Sequence, residues 1–320
     1  MAIGYEAFDL SQVQTYPLSS RTSKVRLADC ARPHVTGSGL DGWLSRLPDV
    51  LAGRDFRAVV DAIGQARRQD RPVVWGLGAH VLKVGLSPVL IDLMKRGFVS
   101  ALAMNGAGLI HDFELAVGGS TSEDVDGSLG RGQFGMATET GRDLNRAITE
   151  GVGRGEGIGQ TVGAYLCARQ VPHLDDSLVG MAHQLGIPVT VHVALGTDII
   201  HMHPSASGAA LGEGSLRDFR YLASIVSHLS GGVYLNCGSA VVLPEVFLKA
   251  VAVVRNAGHS LEGMTTVNLD FLRQYRPQTN VVTRPTAGTG RGYSLTGHHE
   301  LLIPLLAAVL VERDEGGAAR

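Results

Sequence analysis

The stretch PVVWGLGAHVLKVGLSPVLIDLMKRGFVSALAMNGAGLIHDFELAV, residues 72–117, decides the fold. A short apolar run, PVVWGLG, ends in glycines and is followed by the segment LSPVLIDLMKR, whose pattern is helical. A second apolar run, VSALAMNG, and a further helical segment around Leu109 to Val117 complete the stretch. Apolar runs this short predict buried strands, and their alternation with helices predicts parallel βαβ units. We therefore expect an α/β fold with a doubly wound, Rossmann-like parallel sheet and helices on both faces.

The alternation continues to the end of the chain. Further strands are predicted in IPVTVHVALG (187–196), GVYLNCG (232–238) and SLEGMTTVNLD (260–270). Helices are predicted at 40–66, 136–151, 157–168, 175–185, 215–229 and 244–256, with a closing helix LLIPLLAAVLVER at 301–313. A polar, glycine-rich segment at 118–135 and a histidine-rich loop at 201–214 interrupt the pattern. We expect one α/β domain over 36–313, an extended N-terminal arm at 1–35 and a flexible tail at 314–320.

Composition narrows the class of protein. The 320 residues carry 28 basic and 30 acidic side chains and a net charge of -2, which argues against nucleic-acid binding and against a membrane-surface protein. The three cysteines are far apart and lack metal-site or disulfide spacing, which favours a reducing compartment. The N-terminal residues lack a signal-peptide pattern, and no uninterrupted stretch of apolar residues is long enough to span a bilayer. The sequence therefore predicts a cytoplasmic protein.

Polar and small residues collect where the predicted strands end. Ligands of open α/β sheets bind beyond the carboxyl ends of the strands, near the reversal of strand order. Glycines at 76–78, 106–108 and 238–239 would let backbone N–H groups approach a phosphate there. The run GLGAHV at 76–81 has valine where a complete dinucleotide fingerprint has its third glycine. Three such turns at one sheet edge still favour a bound nucleotide or dinucleotide.

The histidines and the acidic loop leave alternatives open. Histidines 80, 111, 192, 201 and 203, with 298 or 299, would crowd the same edge. They could bind an organic substrate and transfer protons, or form a metal shell with Asp198 or Glu245. No spacing is diagnostic of a metal site, so we assign no metal ligand. The segment TSEDVDGSLG at 121–130 could be a solvated loop or a lid that contacts a cationic ligand.

Several segments resemble deoxyhypusine synthase. The stretch from Trp75 to Val117 resembles the cofactor-binding segment of that family, which holds NAD. Thr197 and Asp198 in IPVTVHVALGTDI match a Thr-Asp pair on the spermidine side of the family's site. Gly238 and Ser239 in YLNCGSAVVLPEVFLKA match an NAD-binding glycine turn, and GHHELLIPLLAAV at 297–309 matches the closing turn and helix. The resemblance covers most of residues 40 to 313.

The resemblance implies a site and an assembly. Together with the strand-end pattern, it makes Asp198, His203, Glu245 and His111 the catalytic candidates and NAD the cofactor. The cofactor-binding candidates are Gly78, His80, Lys83, Asn105, Gly106, Ala107, Gly108, Gly238, Ser239, Asn268, Asp270, Gly297, His298 and His299. By the same resemblance we expect a homotetramer with sites at subunit interfaces and the N-terminal arm reaching across.

The chain departs from the family pattern at functional positions. His80, Lys83 and Asn105 stand where the family has asparagine, serine and threonine. His111, Glu245 and His298 stand where it has an acid, a histidine and an aspartate on the cofactor ribose, and His203 falls near a second substrate-binding acid.

The family's catalytic lysine, in a Trp-Gly-Lys motif, has no counterpart in RPTAGTGRGYSLTGHHE, 284–300. Of the four lysines, at 24, 83, 95 and 249, only Lys83 lies beside the predicted cofactor.

These features predict an NAD-binding enzyme that acts on a small polar substrate, such as an amine, without the family's lysine-imine step. Three alternatives stay open at this point. One is a metal-dependent hydrolase or lyase built on the histidines. Another is a non-catalytic protein that binds a nucleotide or metabolite. The third is deoxyhypusine synthase itself, which modifies a lysine on a partner protein.

Overall fold

The computed structural model describes residues 4–318, with 315–318 described by their backbone alone. Within that range a sheet of six parallel strands lies at the centre, in the order β3-β2-β1-β4-β5-β6. The strands are β1 Val73–Leu77, β2 Ala101–Asn105, β3 Val189–His192, β4 Val233–Cys237, β5 Thr265–Asp270 and β6 Arg291–Thr296. The predicted α/β class with a doubly wound parallel sheet is confirmed.

Helices connect the strands and cover both faces of the sheet. They are α1 Gly39–Leu44, α2 Leu51–Arg68, α3 Ala79–Lys83, α4 Ser87–Lys95, α5 Gly106–Gly118, α6 Val125–Leu129, α7 Thr138–Gly153, α8 Ile158–Arg169, α9 Leu178–Gln184, α10 Gly208–Ser227, α11 Val242–Asn256, α12 Tyr275–Pro277 and α13 His299–Ala318. Single turns of 3-10 helix lie at Leu174–Asp176 and Ile199–Met202, and a π-helical turn lies at Gln278–Thr283.

The strand order reverses between β1 and β4. From β1 the chain moves outward through β2 to β3 and then returns to place β4 on the other side of β1. Val73 to Leu77 pair in register with Val233 to Cys237 across this junction. Ligand sites of open α/β sheets lie outside such a reversal. We refer below to the carboxyl ends of β1 and β4 as the crossover.

The strand β6, Arg291–Thr296, was not predicted from the sequence. It pairs in parallel with β5 from Thr265↔Arg291 to Asp270↔Thr296. Only Leu295 among its six residues is buried, because β6 is an edge strand. A strand at the edge does not need the continuous apolar run that marks the interior strands, so the pattern RGYSLT gave no signal.

Two helix predictions also change. The segment 40–66 forms two helices, α1 and α2, separated by a turn that contains Pro48, whose ring disfavours a continuous helix. The helix predicted at 215–229 begins earlier, at Gly208, within the predicted loop 201–214. The Ser207 side chain accepts a hydrogen bond from the Ala210 backbone N–H at 3.2 Å and caps this helix.

Side chains of alternate residues of β1 pack into two apolar layers, one on each face of the sheet. Trp75 and Leu77 pack in a core with residues of α2, α4, α5 and α13, while Val74 faces the layer formed with α10 and α11. The fully buried Trp75 donates its indole N–H to the Phe98 carbonyl at 3.1 Å. Because both faces are covered, β1 and β4 are buried along their whole length.

The outer edge of β3 is closed by side chains of α10. Asp218 Oδ2 accepts the backbone N–H of Val191 at 2.8 Å and that of Gly159, at the start of α8, at 3.1 Å. Ser215 Oγ accepts the Val193 N–H at 3.1 Å. Asp218 is 1% exposed and its Oδ1 has no hydrogen-bond partner, and burial raises its pKa to about 7. The strand edge is therefore sealed by a carboxyl group that is costly to ionise.

The predicted arm, apart from residues 1–3, which lie outside the described residues, is extended and largely exposed over 4–35. It contains short 3-10 turns at Leu10–Gln12, Leu18–Ser20 and Leu27–Asp29. Its large apolar side chains are exposed, among them Phe8 at 84% and Leu27 at 93%. The homotetramer in which this arm reaches a neighbour stays a prediction.

The C-terminal helix α13 extends past the predicted start of the tail at 314 and continues to Ala318, and residues 319–320 lie outside the described range. Along the described chain, no helix combines the length and the apolar character needed to cross a membrane.

The substitution Asp218→Asn should reduce the pH dependence of stability. The unfolded chain ionises this carboxyl near its ordinary pKa of 3.8, whereas the folded protein does so near 7. The wild-type free energy of unfolding should therefore fall, by up to about 4 kcal/mol, as the pH rises from about 4 to about 7. An asparagine oxygen can still accept both backbone N–H groups and cannot ionise, so this contribution should disappear.

Urea unfolding at about pH 5 and about pH 8 measures the effect. The matched control is Asp92→Asn, on the exposed face of α4, where Asp92 pairs with Arg96. The same fall in stability in D218N as in the wild type would contradict the prediction. A smaller slope should remain, since burial also raises the pKa of Asp112, to about 6.

Candidate functional site

The carboxyl ends of the strands and the first turns of three long helices share one edge of the sheet. Helix α5 starts directly after β2, α11 follows β4, and α13 follows β6. The cofactor candidates Gly78, Gly238 and Asp270 lie where strands end at this edge. The structure therefore brings most of the predicted residues to one side of the molecule, in two neighbouring places.

The first place is the crossover, where two glycine turns touch. The Gly78 backbone N–H donates to the Cys237 carbonyl at 2.8 Å. A Cβ on Gly78 would lie 2.1 Å from the Gly238 carbonyl oxygen, and Gly238 itself has a φ of 70°. Only glycines permit this approach and this backbone conformation. The two turns therefore present bare backbone at the reversal of strand order, as a dinucleotide site requires.

Three rings cover the crossover. The centroids of His80 and His299 are 5.3 Å apart, and those of His80 and Phe271 are 5.8 Å apart. His299 is fully buried and its Nε2 lies 3.1 Å from the Leu269 carbonyl, which can only accept, so Nε2 carries the proton. Burial lowers the pKa of His299, and its unprotonated Nδ1 has no partner. The crossover thus holds one buried acceptor that is free for a ligand.

A buried amide pair fixes the turn after β4. Asn236 donates from Nδ2 to the Ser239 carbonyl at 2.9 Å and to Asn268 Oδ1 at 2.8 Å. Ser239 Oγ in turn accepts the Leu243 N–H of the first turn of α11. Asn268, a predicted cofactor ligand, is 2% exposed in the middle of β5. The hydrogen bond that Asn268 accepts from Asn236 therefore stabilises the turn after β4 from within the sheet.

The second place is a cavity of about 190 Å³ beside the crossover. Its walls come from the end of α3, the first two turns of α5, the acidic segment before α6, and residues 197–199 after β3. The polar side chains of its lining are Lys83, His111, Glu114, Ser122, Glu123, Thr197 and Asp198. The acidic segment 121–130, for which a solvated loop and a lid were both open, thus supplies part of a cavity wall.

Glu114 and His111 are linked through Thr121. The Thr121 hydroxyl donates to Glu114, which also accepts the Thr140 hydroxyl at 3.1 Å. Because the single Thr121 proton is given to Glu114, its oxygen accepts from His111 Nδ1 at 2.7 Å. His111 then keeps an unprotonated Nε2, and burial lowers its pKa. The ring is a neutral base on the cavity wall.

Asp198 is the most confined acid of the cavity. It is 8% exposed, and within the described part of the chain its Oδ2 has no hydrogen-bond partner. A Cβ on Gly106 would lie 2.0 Å from this oxygen, so the carboxylate packs against the start of α5. Burial raises the pKa of Asp198, and His201 partly offsets the rise. When ionised, this carboxylate would repel a second anion at the start of α5.

Other predicted residues lie outside this cavity. Glu245 bonds Asn280 at 2.9 Å and pairs with Lys249 and Arg276 on the outer side of α11. His203 bonds Ser205 at 2.7 Å and packs against Gly141 of α7. The His298 side chain is 70% exposed and lies 3.7 Å from Glu300.

The sequence missed Glu114 and Thr140 as site residues; it placed His201 at this edge among the histidines and included Glu123 within the acidic segment 121–130. Glu114 lies one helical turn after His111, a spacing that could have indicated it.

Within residues 4–318, no group of three or more His, Cys, Asp or Glu side chains is arranged to hold a metal ion. His80 and His299 lie at the crossover, His111 lines the cavity, and His203 packs against α7, so these four rings are not gathered at one point.

Comparison with known proteins rests on structure alone. No family model matches the chain, and no curated protein sequence does. AgrE, in a ternary complex with ornithine and NAD+, matches with a TM-score of 0.53 at 17% identity over 82% of this chain. The chain spans only 34% of AgrE.

A conserved protein described as LOR/SDH from Methanococcus maripaludis S2 matches with a TM-score of 0.51 at 14% identity, over 83% of this chain and 71% of that one. A protein described as a deoxyhypusine synthase from Entamoeba histolytica matches with a TM-score of 0.48 at 11% identity. The match covers 87% of this chain and 95% of that protein. At these identities the likeness to the first two proteins shows a common fold.

The substitution Gly78→Ala should destabilise the protein by about 1–3 kcal/mol, because its Cβ would overlap the Gly238 carbonyl and force β1 and β4 apart. The matched control is Gly212→Ala within α10, where an added Cβ meets nothing within 4 Å. That change should stabilise the helix by about 0.5–1 kcal/mol. Urea unfolding compares the two variants, and similar effects from both would contradict the close contact at the crossover.

Proposed function

We propose that this chain is an enzyme that binds NAD at the crossover and a small cationic amine in the adjacent cavity. The observation that carries the proposal is the buried, unpartnered Asp198 oxygen in a cavity with two further carboxylates at this sheet edge.

The cavity favours a cation by charge. Glu114, Glu123 and Asp198 line it together with one cationic side chain, Lys83. The backbone N–H of Gly135 lowers the pKa of Glu123, and His111 is neutral. An ammonium group entering this space would gain hydrogen bonds to carboxylates that are already in place.

The cavity also favours a small ligand. Its volume of about 190 Å³ is below the roughly 300–1,000 Å³ of sites for drug-sized molecules. A whole dinucleotide cannot enter it. The cofactor would lie along the crossover, held by the backbone of Gly78, Gly238 and Ser239, with Asp270 at the end of β5 available to ribose hydroxyls and His299 Nδ1 as an acceptor.

Helix α3 joins the two places. It begins at Ala79 beside the crossover and ends at Lys83 in the cavity, a rise of about 6 Å at 1.5 Å per residue. A substrate in the cavity would therefore lie next to a cofactor at the crossover. When bound, NAD+ supplies a hydride acceptor.

Residues of this chain would bind the amine and accept a proton from it. Asp198 and Glu123 hold the ammonium group, and His111 Nε2 is positioned on the cavity wall to accept a proton from it. Lys83 is available to a carboxylate on the substrate. The family's imine step forms no part of the proposal, because residues 284–300 contain no lysine.

The likeness to AgrE supports the same pair of ligand types, since its structure holds ornithine, a diamino acid, together with NAD+. A non-catalytic binder of the same two ligands is the second candidate. Conversion of NAD+ to NADH in the presence of an amine, followed by absorbance, separates the two.

Ornithine or 1,4-diaminobutane should bind to the purified protein, and Asp198→Asn should weaken binding about tenfold or more, because the buried carboxylate loses its charge. Affinity should rise with pH through the raised pKa of Asp198, since only the ionised carboxylate attracts the ammonium group. Isothermal titration calorimetry measures both effects, with Asp92→Asn as the matched control. Equal affinity of D198N and the wild type would place the amine elsewhere.

NAD+ should bind with a dissociation constant below about 1 mM, and His80→Ala should weaken binding because the ring covers the crossover. The control is His259→Ala, in the exposed loop after α11. Calorimetry with NAD+ alone tests this part. An absence of binding at millimolar NAD+ would contradict the NAD-dependent part of the proposal and leave an amine-binding protein.

A further inference from the structure

We propose that His201 is a positioning residue that orients the Asp198 carboxylate toward the cavity through its Nε2–H, an inference that rests on the proposed amine site. His201 is not part of the cavity lining, so it would act on the ligand only through Asp198.

The protonation of the His201 ring follows from its contacts. The backbone N–H groups of Gly196 and Asp198 donate to Nδ1 at 3.1 and 3.2 Å. A nitrogen that accepts two N–H groups carries no proton of its own. The neutral ring therefore has its proton on Nε2. The backbone of the loop after β3 thus bonds Nδ1 of the ring, and the Nε2–H is left to bond another group.

The second nitrogen faces Asp198 without reaching it. His201 Nε2 and Asp198 Oδ2 lie 3.9 Å apart, and the two side chains are 6% and 7% exposed. Among the residues that the structure describes, neither atom has a hydrogen-bond partner. At 3.9 Å the pair is about 1 Å too long for a hydrogen bond. A buried donor and a buried acceptor this close form a bond after a small rotation of the carboxylate.

The wall at Gly106 limits where that carboxylate can go. Its Oδ2 packs against the start of α5, where any side chain would collide with it. Asp198 lines the cavity, and its side chain also accepts the His201 backbone N–H in the capping box of the 3-10 turn.

The charged and titratable groups that line the cavity around Asp198 are Lys83 of α3, His111 and Glu114 of α5, and Glu123 of the acidic segment. Two of them are acids, which oppose a further negative charge. The Nε2–H of His201, whose nitrogen lies 3.9 Å from Asp198 Oδ2, favours the ionised carboxylate. This makes Asp198 available to an ammonium group at a lower pH than its burial alone would permit.

Two substitutions separate the roles of the ring. His201→Asn keeps an acceptor near the position of Nδ1 and removes the Nε2–H. His201→Gln places an amide N–H near the position of Nε2. The readout is the titration of the Asp198 carboxyl by ¹³C NMR in protein labelled at aspartate, assigned with D198N and needing no ligand.

In H201N the Asp198 midpoint should rise by about half a pH unit or more, whereas H201Q should remain nearer the wild type. His228→Asn, at the exposed end of α10, is the matched control and should leave the midpoint unchanged. An unchanged midpoint in a folded H201N protein would overturn the proposal.

A measurement on the wild type does not depend on the folding of a variant. The ¹⁵N shifts of the His201 ring should show a protonated Nε2 and an unprotonated Nδ1, and the opposite tautomer would overturn the proposal. Ornithine affinity at fixed pH should fall in H201N and recover in H201Q. If ornithine does not bind the wild type, the proposed function fails, while the NMR titration still decides the role of His201.

Discussion

The contact between Gly78 and Gly238 is the constraint on which the rest of the site depends. The two turns end the two central strands, and their backbones approach to a distance that excludes any side chain. This contact fixes where α3 and α11 begin, and through α3 it fixes where Lys83 stands relative to α5. The amide pair of Asn236 and Asn268 beneath Ser239 holds one of these turns from inside the sheet.

Two buried histidines illustrate how the fold sets tautomers by backbone contacts. His299 donates from Nε2 to a carbonyl and keeps a free acceptor at the crossover. His201 accepts two N–H groups at Nδ1 and keeps a free donor behind Asp198. The ring of His111 is fixed in the same way by Thr121. In each case a local, structural hydrogen bond determines which atom remains for chemistry.

The sequence predicted the interior of the fold better than its margins. Strands such as β1 are buried on both faces, so their apolar runs are unmistakable, whereas β6 has one buried residue and no comparable signal. The strand-end rule located the crossover and the cavity together, since topology brings all parallel strand ends to one edge.

The sequence could not decide which way each side chain turns. Glu245 follows β4 as closely as Ser239 does, yet it pairs with Lys249 on the outer side of α11. His203 and His201 are two residues apart, and only His201 is near Asp198. Such differences arise from the 3-10 turn at Ile199–Met202 and from hydrogen bonds to backbone groups, which no periodicity records.

The short helix between the two places has a thermodynamic consequence. Helix α3 is short, about one and a half turns. Its first residue follows Gly78, and its last residue lines the cavity. A ligand that displaces one end of it must displace the other. Occupancy of the two places would then be coupled, and by linkage each ligand would alter the affinity for the other by the same factor. Cooperativity of this kind would come from the shortness of the connection, without any change of quaternary structure.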